Sequence, residues 1–106
     1  MRSEKAPMPR IPLPLNEIEA FCRRWKVAEL SLFGSVLRDD FGPESDVDVL
    51  ISFQKDAGWS LYEWVDMQEE LRKLFGRDVD LVSMRGLRNP FRRQRILSTR
   101  EVIYAA

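Results

Sequence analysis

A glycine–serine turn and a later pair of alternating carboxylates constrain the fold of this chain more than any other feature. Gly34-Ser35 follows the alternating, largely apolar run 28–33, which predicts a short β-strand. Ten residues separate the turn from Asp46-Val47-Asp48, which opens a second apolar run that ends at Phe53. The pattern predicts two strands joined through a turn and a short helix.

The two carboxylates have the spacing of a metal–phosphate site. Alternate residues of a strand point to the same face, so Asp46 and Asp48 lie side by side if 47–53 is a strand. Magnesium prefers oxygen ligands and usually takes one or two carboxylates, while substrate phosphates and water complete its coordination. The same triplet also fits the polar edge of a solvent-facing strand, where charges oppose aggregation. The carboxylates alone leave both interpretations open.

The turn before the carboxylates favours the phosphate site. Gly34 allows a positive φ or a close approach to a ligand, and Ser35 is expected to cap the short helix that follows. Backbone N–H groups at a helix start can receive phosphate oxygens, and Arg38, one turn further on, can add a charge-assisted contact. We therefore interpret the turn and the carboxylate pair together as a site for a nucleoside triphosphate and its magnesium.

A known family shows the same combination. Gly34-Ser35, the ten-residue spacer and Asp46-Val47-Asp48 resemble the signature of the DNA polymerase β-like nucleotidyltransferase superfamily. In particular, they resemble the minimal nucleotidyltransferases (MNT proteins), the antitoxins of prokaryotic HEPN/MNT toxin–antitoxin pairs. The resemblance runs from about Leu13 to the C-terminus and includes Val79-Asp80-Leu81-Val82. It implies a single small α/β (α+β) nucleotidyltransferase domain, with a mixed β-sheet covered by helices.

The resemblance also implies a reaction and a set of residues. A protein of this family transfers AMP from ATP to a tyrosine hydroxyl of a partner HEPN ribonuclease toxin and silences it, so that a hetero-oligomer with the toxin is expected. The implied catalytic and metal-binding residues, which would hold two Mg²⁺ ions, are Asp46, Asp48 and Asp80, the last assisting as general base. The implied nucleotide-binding residues are Gly34, Ser35 and Arg38.

The third carboxylate has two candidates, because Asp78-Val79-Asp80 repeats the earlier triplet. Both acids fall on one face of a strand. Asp80 is preferred, since apolar neighbours on both sides predict a buried strand that fixes its direction. Asp78 lies nearer the Gly76 turn and is interpreted as a solvated surface charge.

Two other functions remain open. A non-catalytic antitoxin could block its partner by binding, through its N-terminal arm, exposed aromatics or an arginine-rich face. Transfer to a small molecule or an RNA end is a further candidate, although 106 residues leave no room for a separate substrate domain. Substitution of the carboxylates separates occlusion from AMP transfer to the toxin, since occlusion survives the substitution and catalysis does not.

Composition narrows the protein class. The formal net charge is zero, so direct nucleic-acid binding is not expected from overall electrostatics. The absence of histidine excludes Ser-His-Asp and Cys-His catalysis, and the single cysteine, Cys22, is expected to be a buried, reduced thiol. With no apolar run of membrane length and no N-terminal signal region, we expect a soluble, cytoplasmic protein.

Charge is unevenly distributed along the chain. Acids crowd the predicted metal region and include Asp39, Asp40 and Glu44. Arginines crowd the C-terminal third, at Arg85, Arg88, Arg92, Arg93, Arg95 and Arg100. These arginines can form a solvated helix face or can meet a triphosphate, RNA or an acidic partner.

The rest of the chain predicts the elements around the site. Residues 1–14 form a proline-rich extended arm, and residues 15–106 form the domain. Asn16 is expected to cap a first helix that ends near Trp25, with Glu19 at the capping-box position and an apolar face that includes Ile18, Phe21 and Cys22.

Two further helices are predicted. One lies between Gly58 and Gly76, with Leu61, Trp64, Val65, Leu71, Leu74 and Phe75 at helical spacing. Trp59, Tyr62 and Trp64 could stack a base or belong to the core. Asn89-Pro90 predicts the start of a basic helix. Residues 101–104 are compatible with either a strand or a helical turn.

Overall fold

The computed structural model describes residues 11–38 and 41–106. The elements in chain order are α1 (Leu15–Arg24), β1 (Val27–Phe33), β2 (Val47–Phe53), α2 (Leu61–Phe75), β3 (Val79–Ser83), α3 (Pro90–Thr99) and β4 (Glu101–Ala105), with short 3₁₀ helices at Gly34–Leu37 and Met84–Gly86. Residues 1–10 of the predicted arm, and Asp39 and Asp40 of the acidic region, lie outside the described residues. Residues 11–14 belong to neither a helix nor a strand.

The four strands form one mixed sheet in the order β3-β2-β1-β4. β1 is antiparallel to both β2 and β4, whereas β2 and β3 are parallel and are joined through α2. The fold class predicted from the sequence is therefore confirmed. The pairing brings the end of β1 and the starts of β2 and β3 to the same edge of the sheet.

Helices cover both faces of the sheet. One face packs on α1 and α2, in a core that includes Phe21, Val49, Ile51, Met67 and Leu71. The other face packs on α3, in a smaller core of Phe33, Leu50, Leu87 and Ile96. Because side chains alternate along β2, Asp48 shares the α3 face with Leu50.

The first helix starts earlier than the sequence predicts. Its N-cap is Pro14 and it begins at Leu15, so the prediction that Asn16 caps the helix is wrong. The Ile18 N–H donates to the Pro14 carbonyl at 2.9 Å, which places Asn16 inside the first turn. The predicted apolar face is confirmed, and burial raises the pKa of the Cys22 thiol to about 12.

The second helix has the predicted ends but a different buried stripe. It begins after Ser60, whose backbone N–H donates to the Glu63 carboxylate at 2.7 Å, and ends at Gly76 with a φ of 71°. Leu71 is fully buried, as is Met67, which the sequence analysis did not single out. Leu61 and Val65 lie outside the stripe that faces the sheet and are exposed. Their exposed fractions are 75% and 58%.

The tryptophan side chains pack against the hydrophobic core. Trp59 and Trp64 pack against the larger core, and Trp59 Nε1 donates to the Trp25 carbonyl at 2.7 Å. Tyr62, by contrast, is 84% exposed. Of the two possibilities left open by the sequence, the tryptophans fit the core.

The C-terminal elements agree with the predicted basic helix. Asn89 Oδ1 accepts hydrogen bonds from the backbone N–H groups of Phe91 and Arg92, and Pro90 begins the helix. The segment left open as strand or helical turn is a strand, because it pairs with the free edge of β1. Of the six arginines in the C-terminal third, Arg100 pairs with Glu29 at 3.1 Å, whereas the other five are exposed. Within the described residues, no helix is both long and apolar enough to cross a membrane.

Candidate active site

Three strands place the predicted metal ligands at one edge of the sheet. Asp48 is the second residue of β2 and pairs with Phe33 on one side and with Asp80 on the other. Asp46 immediately precedes the same strand. Asp48 is half-buried, while Asp46 and Asp80 are exposed. The parallel register thus brings together residues that are 32 positions apart in the chain.

The charges of the neighbouring carboxylates act on Asp48. The pKa of the Asp48 carboxyl is raised above its usual range, first by burial and then by the charges of Asp80 and Asp46. The Arg38 guanidinium and a hydrogen bond from the Ser35 backbone N–H act in the opposite direction. A cation bound between the carboxylates would relieve their mutual repulsion.

The glycine of the turn lies directly against Asp48. Gly34 has a φ of +77°, and a Cβ atom built on it would come within 2.3 Å of Asp48 Oδ2. The positive φ and the close approach both require glycine at this position. The turn and the carboxylate strand are therefore in contact, as their joint role in a site requires.

The helix after the turn differs from the prediction. Gly34–Leu37 is a single 3₁₀ turn whose N-cap is Phe33, so the predictions that Ser35 caps the helix and that Arg38 lies within it are wrong. Arg38 follows the turn in an extended conformation and is exposed. Four residues suffice for one turn with i to i+3 hydrogen bonds, and the turn ends at Leu37.

The two candidates for the third carboxylate have different surroundings. Asp80 is in register with Asp48, and its charge contributes to the raised pKa of that residue. The Asp78 carboxylate pairs with the Arg72 guanidinium at 3.0 Å and remains 68% exposed. The geometry therefore favours the sequence-based choice of Asp80.

The donor set fits magnesium held jointly with a triphosphate. Among residues 11–38 and 41–106, no three or more His, Cys, Asp or Glu side chains are arranged as a ready-made metal cage. Magnesium rarely uses an all-protein cage, and takes one or two carboxylates together with substrate phosphates. The hard oxygens of Asp46, Asp48 and Asp80 meet that requirement, because the first and last lie close enough to raise the pKa of Asp48.

In the described part of the chain, a cavity lies at each end of the parallel strands. A cavity of about 430 Å³ is lined by Asp46, Asp78 and Asp80, but not by Asp48. Its lining also includes Gln68 and Arg72 of α2, which the sequence analysis did not single out. Gln68 Nε2 donates to the Val79 carbonyl at 2.9 Å. Helical spacing places Gln68 and Arg72 on one face of α2, but it does not show which strand that face meets.

The larger cavity, of about 610 Å³, lies at the far ends of β2 and β3, where its lining includes Trp59, Trp64, Met84 and Arg85. It contains none of the carboxylates. Size alone would select this cavity as the reaction site, but the smaller one is lined by Asp46 and Asp80, which adjoin Asp48 at the same edge of the sheet.

Comparison with known proteins shows the family to which the chain belongs. Residues 17–103 match the family model of the nucleotidyltransferase domain, and the chain belongs to this family. It is therefore a nucleotidyltransferase. Within the family it is similar to the protein adenylyltransferase MntA of Thermococcus cleftensis, with 33% identity over 100 residues that cover 87% of this chain and 96% of the relative. The predicted resemblance to minimal nucleotidyltransferases is thus confirmed.

Solved structures show the same fold. A toxin–antitoxin structure with AMP-PNP aligns with a TM-score of 0.68 and 23% identity, over 89% of this chain and 75% of that one. A complex of tri-AMPylated Shewanella oneidensis HEPN toxin with MNT antitoxin aligns with a TM-score of 0.60 and 22% identity, over 87% of this chain and 70% of that one.

Proposed function

We propose that this chain is an antitoxin that transfers AMP from magnesium-bound ATP to a tyrosine hydroxyl of a HEPN ribonuclease toxin. The main support is one observation. Asp48 contacts the Gly34 turn and is in register with Asp80, in a chain that shares 33% identity with a protein adenylyltransferase. The solved complexes of similar fold, one with AMP-PNP and one with an AMPylated toxin, support the nucleotide and the partner.

The carboxylates bind and orient the metal–nucleotide. Asp46 and Asp48 would hold the ion together with Asp80, which lies beside Asp48 on the neighbouring strand. Magnesium would supply neutralisation of the triphosphate charge and of the departing pyrophosphate. The Ser35 N–H donates to Asp48 in this structure, and its place at the start of the turn suits it to donate to a phosphate oxygen of the nucleotide.

The acceptor reacts at the α-phosphorus. Asp80 takes the proton of the tyrosine hydroxyl, whose oxygen forms a bond to the α-phosphorus of ATP. The bond from that phosphorus to the bridging oxygen of the β-phosphate breaks, and pyrophosphate leaves with the bonding electrons. Arg38, which lies near enough to act on Asp48, offsets negative charge in the site. Such transfer depends mainly on positioning and electrostatics, which a small domain can supply.

Silencing by occlusion is the second candidate, and exposed apolar residues favour it. Leu61, Tyr62 and Val65 project from the first turns of α2, next to the larger cavity, with exposed fractions of 75%, 84% and 58%. Clustered exposed apolar residues often mark contacts with another protein. Binding by this surface alone would silence a partner without nucleotide transfer.

The deciding experiment measures the intact mass of a HEPN ribonuclease toxin after incubation with this protein, ATP and MgCl₂. We expect the wild type to add mass in AMP units. The substitutions Asp46→Asn, Asp48→Asn and Asp80→Asn should each lower the rate of transfer at least 100-fold, which is the smallest effect expected when a catalytic acid or base is lost. Asp56→Asn is the matched control, since Asp56 is an exposed aspartate paired with Lys26 and lines neither cavity, and it retains the wild-type rate within about threefold.

Other outcomes contradict the assignment. An unmodified toxin in a stable, inactive complex favours occlusion. Modification that persists in the Asp48→Asn variant removes the catalytic role of the carboxylates.

A further inference from the structure

Arg77 lies between α2 and β3, and its side chain reaches the loop that precedes the first carboxylate. Its Nη1 atom donates hydrogen bonds to two backbone carbonyl oxygens of that loop, at 3.0 Å to Gly42 and 3.1 Å to Ser45. Its guanidinium carbon lies 4.5 Å from the centre of the Phe41 ring. These three contacts attach the loop 41–45 to Arg77, two residues before β3 begins.

The contacts act close to Asp46. The Ser45 carbonyl that accepts from Arg77 belongs to the peptide group joining Ser45 to Asp46. Gly42 and Ser45 close the loop into a tight turn, with Gly42 N–H to Ser45 Oγ at 3.0 Å and Ser45 N–H to Gly42 O at 3.1 Å. The Val47 N–H then donates to the Asp78 carbonyl at 2.9 Å. The residues on both sides of Asp46 are thus hydrogen-bonded to the segment that leads into β3, Ser45 to Arg77 and Val47 to Asp78.

The chemistry of these contacts requires a guanidinium group. A planar guanidinium can stack on an aromatic ring while its edge donates to carbonyl oxygens, whereas an ammonium is a compact point charge without a flat face. Arg77 is partly buried, so its contacts are less screened than those of an exposed arginine such as Arg23. A lysine at this position cannot hold Phe41, Gly42 and Ser45 at the same time.

We propose that Arg77 is a positioning residue, which sets the direction of Asp46 towards the metal–nucleotide and keeps the carboxylates of β2 and β3 in register. The inference rests on the proposed metal site. Groups that orient a metal ligand without touching the metal typically contribute 10- to 100-fold to its affinity. Arg77 acts in this way through the backbone on either side of the ligand.

The test measures the dissociation constant of Mn²⁺ in the presence of AMP-PNP, from the electron paramagnetic resonance signal of free Mn²⁺. We expect Arg77→Lys to raise this constant roughly 10-fold or more, with the circular dichroism of the folded protein unchanged. A purely structural role would lower the melting temperature and leave the affinity of the folded protein as it was. Arg23→Lys, the matched control, changes an exposed arginine paired with Glu19 and keeps the wild-type constant.

The outcomes separate this inference from the proposed function. If Asp46→Asn loses Mn²⁺ while Arg77→Lys binds it as the wild type does, the positioning role is overturned and the metal site stands. If Asp46→Asn also binds normally, the metal site itself is overturned.

A second variant covers the case in which Arg77→Lys does not fold. Phe41→Leu removes the ring contact and leaves both hydrogen bonds, and we expect it to raise the constant about threefold, as loss of a partly buried cation–π contact predicts. An unchanged constant in Phe41→Leu then overturns the proposal.

Discussion

Gly34 lies directly against Asp48, where the turn meets the carboxylate strand. The glycine has a positive φ, and its missing side chain makes room for a carboxylate oxygen. Gly76 has a similar φ of +71° with nothing within 4 Å of its missing side chain, and Gly58 has open space without a positive φ. A side chain would therefore meet both backbone strain and crowding at Gly34, strain alone at Gly76, and neither at Gly58.

Alanine substitution at these glycines should give three different losses of stability. We expect Gly34→Ala to lower the free energy of unfolding by about 2–4 kcal/mol, because strain and overpacking add. Gly76→Ala should cost about 1 kcal/mol from strain alone, and Gly58→Ala should be nearly neutral. Urea denaturation measures all three. Equal losses for Gly34→Ala and Gly76→Ala would contradict the contact with Asp48.

Asp48 lowers the stability of the metal-free protein in a pH-dependent way. Its raised pKa means that the folded state binds the proton more tightly than the unfolded chain, so the free energy of unfolding falls as pH rises through the interval between the two pKa values. The cost is present at neutral pH and absent below the usual aspartate range. Asp48→Asn should therefore stabilise the metal-free protein at neutral pH by on the order of 0.5 kcal/mol, since solvent screens a half-exposed group.

Thermal unfolding in EDTA at neutral and acid pH measures this effect. The gain should disappear at acid pH, and Asp66→Asn, at an exposed position of α2, should change neither curve. A gain of the same size at both pH values would show that charge is not its cause.

At the scale of the elements, two asparagines in similar sequence settings behave differently. Asn89 caps α3 through two backbone N–H groups, whereas Asn16 lies inside α1. A capping residue is recognised by its side chain, but the helix start is set by the first carbonyl that accepts an i+4 hydrogen bond. For α1 that carbonyl is Pro14, whose fixed φ already suits a turn.

The two asparagines form a matched pair of substitutions. We expect Asn89→Ala to lower the free energy of unfolding by about 1 kcal/mol, and Asn16→Ala to change it by less than about 0.5 kcal/mol. Chemical denaturation of the two variants against the wild type checks both values. A larger loss for Asn16→Ala than for Asn89→Ala would contradict the helix start at Leu15.

At the scale of the whole molecule, strand order creates the site. β2 lies between β1 and β3, so the turn that ends β1 and the carboxylates that begin the other two strands meet at one sheet edge. The parallel pairing depends on α2, which carries the chain from the end of β2 back to the start of β3. The same crossover brings Gln68 and Arg72 beside Asp46 and Asp80.

Local sequence determined the elements and most of the candidate ligands. Period-two and helical patterns, the Asn89-Pro90 start and the Gly76 stop act over a few residues, so they can be recognised without the fold. The spacing of the Gly34 turn and the carboxylate pair indicated a phosphate site for the same reason. The mixed sheet followed from that pattern together with the family resemblance.

Tertiary structure decided what depends on distant parts of the chain. Register joined Asp80 to Asp48, the open edge of β1 made residues 101–105 a strand, and packing on the sheet left Val65 outside the buried stripe. Arg77 shows most clearly what cannot be predicted from local sequence, since its contacts with the loop 41–45 span more than 30 residues. Pairing across such a separation is set by the energy of the whole sheet and core, and no local pattern in the sequence records it.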